Sequence, residues 1–309
     1  MSELIDFYHS DLMNALYYFE YHGPLHKTVG WIDQDPEVKK LLALIKKIKF
    51  PRFKQFLQWA RYLAANNRIH SPRELQAAIV KNPPRGKTGE KWVDEAEKMG
   101  DILQEIYNLY TNKIQTKESK KQFMDLCEKI KKKYSTIWPK LKEESKKLPG
   151  IRWKKKDLVV CLLNPIDGRL SHKLKYSEIA FIEASEQTLN GEDLFLHEIV
   201  KLLNNTRPIQ KWVKLDKEGV KAIAYELFTE MQSLRLIQKI FGKNPNFRST
   251  IQQKLYHLWI PLIRPDTMFD EDELERILTK AYKRIPNLEY SAMYQMSELY
   301  TELRIILLN

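Results

Sequence analysis

The stretch Glu192–Asn205, EDLFLHEIVKLLNN, decides how the chain is read. Phe195, Leu196, Ile199, Val200, Leu202 and Leu203 surround it almost completely at helical spacing, which predicts a buried helix over 192–204. His197, Glu198 and Lys201 lie inside that apolar segment. At i and i+4, His197 and Lys201 share a face. Buried ionisable groups need partners, so this helix is expected to meet other polar groups or a cleft.

Just ahead of it, DLVVCLLNPIDGRLSHKLKYSEIAFIEAS (157–185) holds two β-like runs, Leu158–Leu163 and Glu178–Glu183. Asn-Pro and Asp-Gly turn chemistry separates them. Just behind it, the periodicity predicts a long helix at about 217–241. Projected at 100° per residue, its apolar arc centres on Leu227, with Ile223, Ala224, Met231, Leu234, Ile237 and Phe241 around it. Glu230 falls inside that arc and Glu226 at its edge. An acid embedded in an apolar face wants a cation or a hydrogen-bond donor.

A strand, a turn, a second strand and a helix opening His197-Glu198 resemble the core of the zincin-like metallopeptidases, the gluzincin branch in particular. The resemblance covers roughly residues 157–241. It implies that His197 and the residue four on would hold zinc, with Glu198 as general base. It further implies a third ligand at Glu226, followed by a second acid at Glu230, in AYELFTE (224–230). Tyr256 and His257, from a later helix, are the accessory candidates for stabilising a transition state. Lys201 stands where the second histidine belongs, which makes the motif degenerate. A zinc site needs three protein ligands and an open position. An ammonium offers no lone pair until its proton is stripped. Lys201 is therefore expected to pair with Glu226, Glu230 or Glu198 and to replace the metal's charge. On this reading Glu198 is a vestigial base and catalysis is lost. No cofactor is expected, zinc entering only if Lys201 is bypassed. Such a protein would hold an unknown protein partner or a peptide in the former substrate groove. An active metalloenzyme with unusual ligands is the minor alternative.

Composition sets the limits on these readings. The 309 residues are 43% hydrophobic and 30% charged, which fits a globular chain rather than a disordered one. No apolar run approaches the ~20 residues needed to cross a bilayer, so no membrane partner is expected. The N-terminus carries acids and no basic leader, and Cys127 and Cys161 sit among apolar neighbours. Both are expected to be reduced core residues of a cytoplasmic protein.

The net charge of +12 is concentrated between Lys113 and Lys156, where sixteen basic residues face five acids. There Phe123, Cys127, Ile130, Tyr134, Ile137 and Leu141 form a narrow seam, which Pro139 is expected to interrupt. Lysines interleaved with Tyr134, Trp138 and Trp153 suit a nucleic-acid backbone. Lys131, Lys132, Lys133, Arg152, Trp153, Lys154, Lys155 and Lys156 are the candidates for that alternative, a basic helical nucleic-acid binder. GKT at 86–88 echoes a phosphate loop, but lysine at 81 replaces its first glycine.

The fold expected is mainly α (α+β). A helical N-terminal region over 1–85 precedes a zincin-like core over 86–309 with one small β-sheet and C-terminal helices. The junction is placed in KNPPRGKTGEK (81–91).

Overall fold

A computed structural model describes residues 5–22, 36–47, 53–83, 89–151, 153, 158–166, 171–172, 179–204, 206–216, 219–243 and 271–308. The chain is mainly helical with one small sheet, as its periodicities predict. It divides into two compact units, Met1–Lys131 with Leu158–Leu189, and Lys132–Asp157 with Asn190–Asn309. Among the described residues no helix is long and apolar enough to cross a membrane.

The first unit carries the sheet. Strands β1 (Asp6–Tyr8), β2 (Val159–Leu163), β3 (Ser171–His172) and β4 (Ile179–Glu183) lie in the order β1-β2-β4-β3. β1 and β4 both pair parallel to β2, in register Asp6↔Val159 and Val159↔Ile179. β3 runs antiparallel along β4 at the edge. Unbroken apolar runs such as VVCLL suit parallel strands covered on both faces, and every residue of β2 and β4 is buried. Val159, Cys161, Leu163, Ile179 and Phe181 join the helical core.

That core is built from α1 (Asp11–His22), α2 (Pro36–Lys47), α3 (Phe53–Asn67), α4 (Pro72–Lys81) and α5 (Glu90–Leu109). α2, α4 and α5 start at or just after a proline or glycine, Pro36, Pro72 and Gly89. α4 is the clearest: Ser71 caps it, Glu74 closes a capping box and Pro72 occupies its first turn. Leu75 and Ile79 of α4 share a core with Trp92, Ala96 and Met99 of α5. The loop at 81–91, expected as a domain junction, therefore lies within one unit. Its two helices approach so closely at Gly100 that a Cβ there would come 2.4 Å from the Gln76 side chain. The stripe Ile102, Ile106, Leu109 and Tyr110 is buried, and a π-helical turn, Tyr110–Ile114, ends the helix.

Helix α6 (Lys117–Ser145) continues through Pro139, against the expected interruption. Pro139 and Ser135, whose carbonyl loses its partner, both lie on the exposed face, where water can replace the missing bond. The seam also shifts: Tyr134, Trp138 and Leu141 are buried, while Ile137 is only half-buried.

In the second unit, after the short α7 (Glu186–Asn190) that closes the first, come α8 (Glu192–Asn204), α9 (Arg207–Lys214), α10 (Val220–Phe241), α11 (Glu271–Arg284) and α12 (Ala292–Leu308). α10 packs on both α8 and α12. Left-handed glycines, Gly219 and Gly242, bound α10. Asn204 Nδ2 donates to Gln232 Oε1 (2.5 Å) and Gln232 Nε2 to the Pro149 carbonyl (2.8 Å), a buried chain that ties α8, α10 and the turn after α6 together. The strands and the His-Glu helix, grouped by sequence into one core, fall in different units.

Candidate functional site

The site lies in the second unit, where α8 packs on α10. Each helix presents two ionisable side chains at a spacing of four residues, about 6 Å along its axis. The pairs therefore meet in two rungs. Lys201 Nζ reaches Glu226 Oε2 at 2.7 Å, and His197 Nδ1 reaches Glu230 Oε2 at 2.5 Å. The ring N–H is not aimed along that second line, so this rung is a contact of charges more than a linear hydrogen bond. His197 Nε2 lies 3.6 Å from Glu226 Oε2, which links the two rungs. Exposures are 12% for the His197 side chain, 15% for Lys201 and Glu226, and none for Glu230.

Burial and charge act against each other here. Burial alone would lower the His197 pKa, but the Glu230 charge and the contacts with Glu226 and Glu230 outweigh it and raise it to about 9. Burial likewise opposes the Lys201 ammonium, and Glu226, then Glu198, hold its pKa above the ordinary value. Tyr225 donates its hydroxyl to the Lys201 carbonyl at 2.9 Å, and burial beside Glu226 pushes its phenol well up. Glu198, half-buried, follows His197 on α8 and adds its charge to both cations.

At neutral pH the centre is thus an imidazolium and an ammonium held against carboxylates. Both nitrogens of His197 face acids, so neither offers a lone pair, and the Lys201 ammonium offers none either. Two of the three positions to which the gluzincin resemblance would assign a zinc ligand, His197 and Lys201, carry protons at neutral pH. Among the described residues no group of three His, Cys, Asp or Glu side chains is arranged to hold a metal ion.

Tyr256 and His257 lie outside the described residues, as do Arg152, Lys154, Lys155 and Lys156. Lys131 and Lys132 are exposed and Lys133 half-buried, its ammonium over the Tyr134 and Phe241 rings. Of the aromatics of the basic block, Tyr134 and Trp138 are buried and Trp153 is half-buried. Tyr134 stacks on Phe195 at 3.6 Å, Trp138 meets Trp153 edge-on, and the Trp153 indole donates to Ser145 Oγ at 2.8 Å.

Sequence reasoning missed a second buried charge pair, in the first unit. Arg61 Nη2 lies 3.0 Å from Glu20 Oε2, both side chains wholly buried, with the guanidinium over the Tyr17 and Phe181 rings. The signal was there: Glu20 and Arg61 each sit within an apolar helical face, as Glu230 does. Nearby, Glu183 accepts from the Tyr17 hydroxyl (2.5 Å) and the Ile166 N–H (3.0 Å), fixing the end of β4 to α1.

No family model, curated protein or solved structure matches the chain.

Proposed function

We propose that the chain is a catalytically inactive relative of the zincin-like metallopeptidases that serves as an interaction scaffold for a protein or peptide partner. The observation that carries this reading is the 2.7 Å contact between Lys201 and Glu226. Where the family's helix pair would share a zinc ion between histidine and glutamate, this pair shares a proton-bearing nitrogen. A lysine so placed supplies the positive charge that the buried acids require. It cannot polarise a carbonyl or lower the pKa of a water, which are the two services of a catalytic zinc. Glu198 then has no activated water to deprotonate and is a vestige of the general base. The pair's remaining role is to join α8 to α10.

The test is metal content together with one substitution. Untagged protein, measured by mass spectrometry, is expected to carry no stoichiometric zinc, and Lys201→His is expected to gain zinc binding. One zinc per chain in the native protein would instead support the reading of an active metalloenzyme with unusual ligands. A Lys201→His protein that folds but takes up no zinc would remove the family resemblance altogether.

A further inference from the structure

A second surface in the same unit is independent of the His197 cluster. The end of α6 and the turn after it, Lys132 to Lys147, have two unlike sides. Tyr134, Trp138, Leu141 and Ser145 are buried on one. The other exposes Lys132, Ser135, Thr136, Pro139, Lys140, Lys146 and Lys147 to solvent. Only two acids, Glu143 and Glu144, fall in this span, and Lys147 answers both, at 3.6 and 2.7 Å. Lys140 donates to the Ile240 carbonyl at the end of α10 at 2.9 Å and lies within electrostatic reach of Glu144. The span from Lys132 to Lys147 therefore carries six lysines against two acids on a chain of net charge +12.

We propose that this face binds the phosphate backbone of duplex nucleic acid without reading bases. Four observations select that partner. The cations are lysines, point charges suited to phosphate, and carry no planar fork for bidentate base recognition. The residues between them are Ser135, Thr136 and Pro139, so the face lacks the exposed apolar side chains that an amphipathic helix sinks into a lipid surface. It also lacks the aromatic and arginine anchors of protein interfaces. Single strands are held by bases stacking on exposed rings. Here Tyr134 is spent on Phe195, and Trp138 and Trp153 on each other. That leaves the duplex, with the higher density of charge along its axis. Lys132 and Lys146 lie fourteen residues apart, about 21 Å at helical rise, well under one duplex turn of about 34 Å.

Fluorescence anisotropy of the full chain with labelled duplexes of about 20 base pairs, in two unrelated sequences, tests this across a potassium chloride series. The expected result is equal binding of both duplexes, weaker binding of an oligo-dT strand of equal length, and a steep linear fall of log K with log salt. Lys132→Gln and Lys146→Gln should each make that slope shallower by about 0.9. Neither lysine touches the His197 cluster, so circular dichroism should be unchanged. Absence of binding at low salt would overturn the proposal. So would a preference for one sequence, tighter binding of oligo-dT, slopes unmoved by the two substitutions, or binding to phosphatidylserine vesicles as tight as to the duplexes.

Discussion

Lys201 Nζ and Glu226 Oε2 stand 2.7 Å apart between two helices that are separated by a third, and each side chain is only 15% exposed. Breaking a pair this buried costs more than the pair is worth, because the surviving charge stays desolvated. Lys201→Met is therefore expected to destabilise the fold by about 3 kcal/mol, read from the urea midpoint. Adding Glu226→Leu should recover most of that loss, since apolar replacement of both partners is often neutral. If the double variant is no better than the single, the cost lies in packing and the charge argument is wrong.

The His197 rung titrates. Its pKa in the folded chain is about 9, against an ordinary value of 6.5, because the carboxylates of Glu230 and Glu226 outweigh burial. A raised pKa means the folded state holds its proton longer than the unfolded state does. The stabilisation is full below about 6.5, declines as pH rises, and is gone above about 9. The shift corresponds to about 3 kcal/mol at its largest. Denaturation at pH 6, 7.5 and 9.5 should show stability falling across this window. His197→Gln should flatten that slope while lowering stability at pH 6. A slope unchanged in the variant would assign the pH dependence elsewhere.

Much of this site is legible in the sequence, and the reason is geometric. Two helices with strong 3.6-residue periodicity each carry ionisable residues four apart within an apolar face, so the residues that need partners declare themselves locally. The bounds of α8 and the burial of Glu230 follow from that pattern. What escapes is whatever a distant partner decides. β1 is three residues, Asp6–Tyr8, extended only because Val159–Cys161 lie beside them. The two β-like runs pair in parallel, with β3 set at the edge of β4, a topology that turn residues alone do not specify. The loop at 81–91 looks like a linker by composition, yet α4 and α5 close over one core.

Arg61 and Glu20 offer a second test of buried charge, away from the first site. Arg61 Nε, Nη1 and Nη2 find no hydrogen-bond partner among the described residues, so the guanidinium is held by the charge of Glu20, 3.0 Å from Nη2, and by the two aromatic faces. Glu20→Leu leaves a fully buried cation unpaired and should cost about 3 to 5 kcal/mol, enough to unfold a marginal domain. Arg61→Met with Glu20→Leu should be far milder in thermal melts. Equal losses for the single and double variants would mean that the volume of Arg61 matters more than its charge.

Gly150 separates backbone strain from steric clash. Its φ of +82° is a left-handed conformation that costs a side-chain-bearing residue about 1 kcal/mol or more. An added Cβ would also lie 2.3 Å from the Ala292 Cβ at the start of α12, far inside contact distance. Gly150→Ala is thus expected to lose about 2 to 4 kcal/mol, from the two effects together. Ala292→Gly removes the colliding atom and leaves the dihedral untouched, so the double variant should regain the steric part alone. Urea denaturation of the four proteins in this cycle measures the coupling. A coupling near zero would show that α12 moves aside, and that the glycine is required for its conformation only.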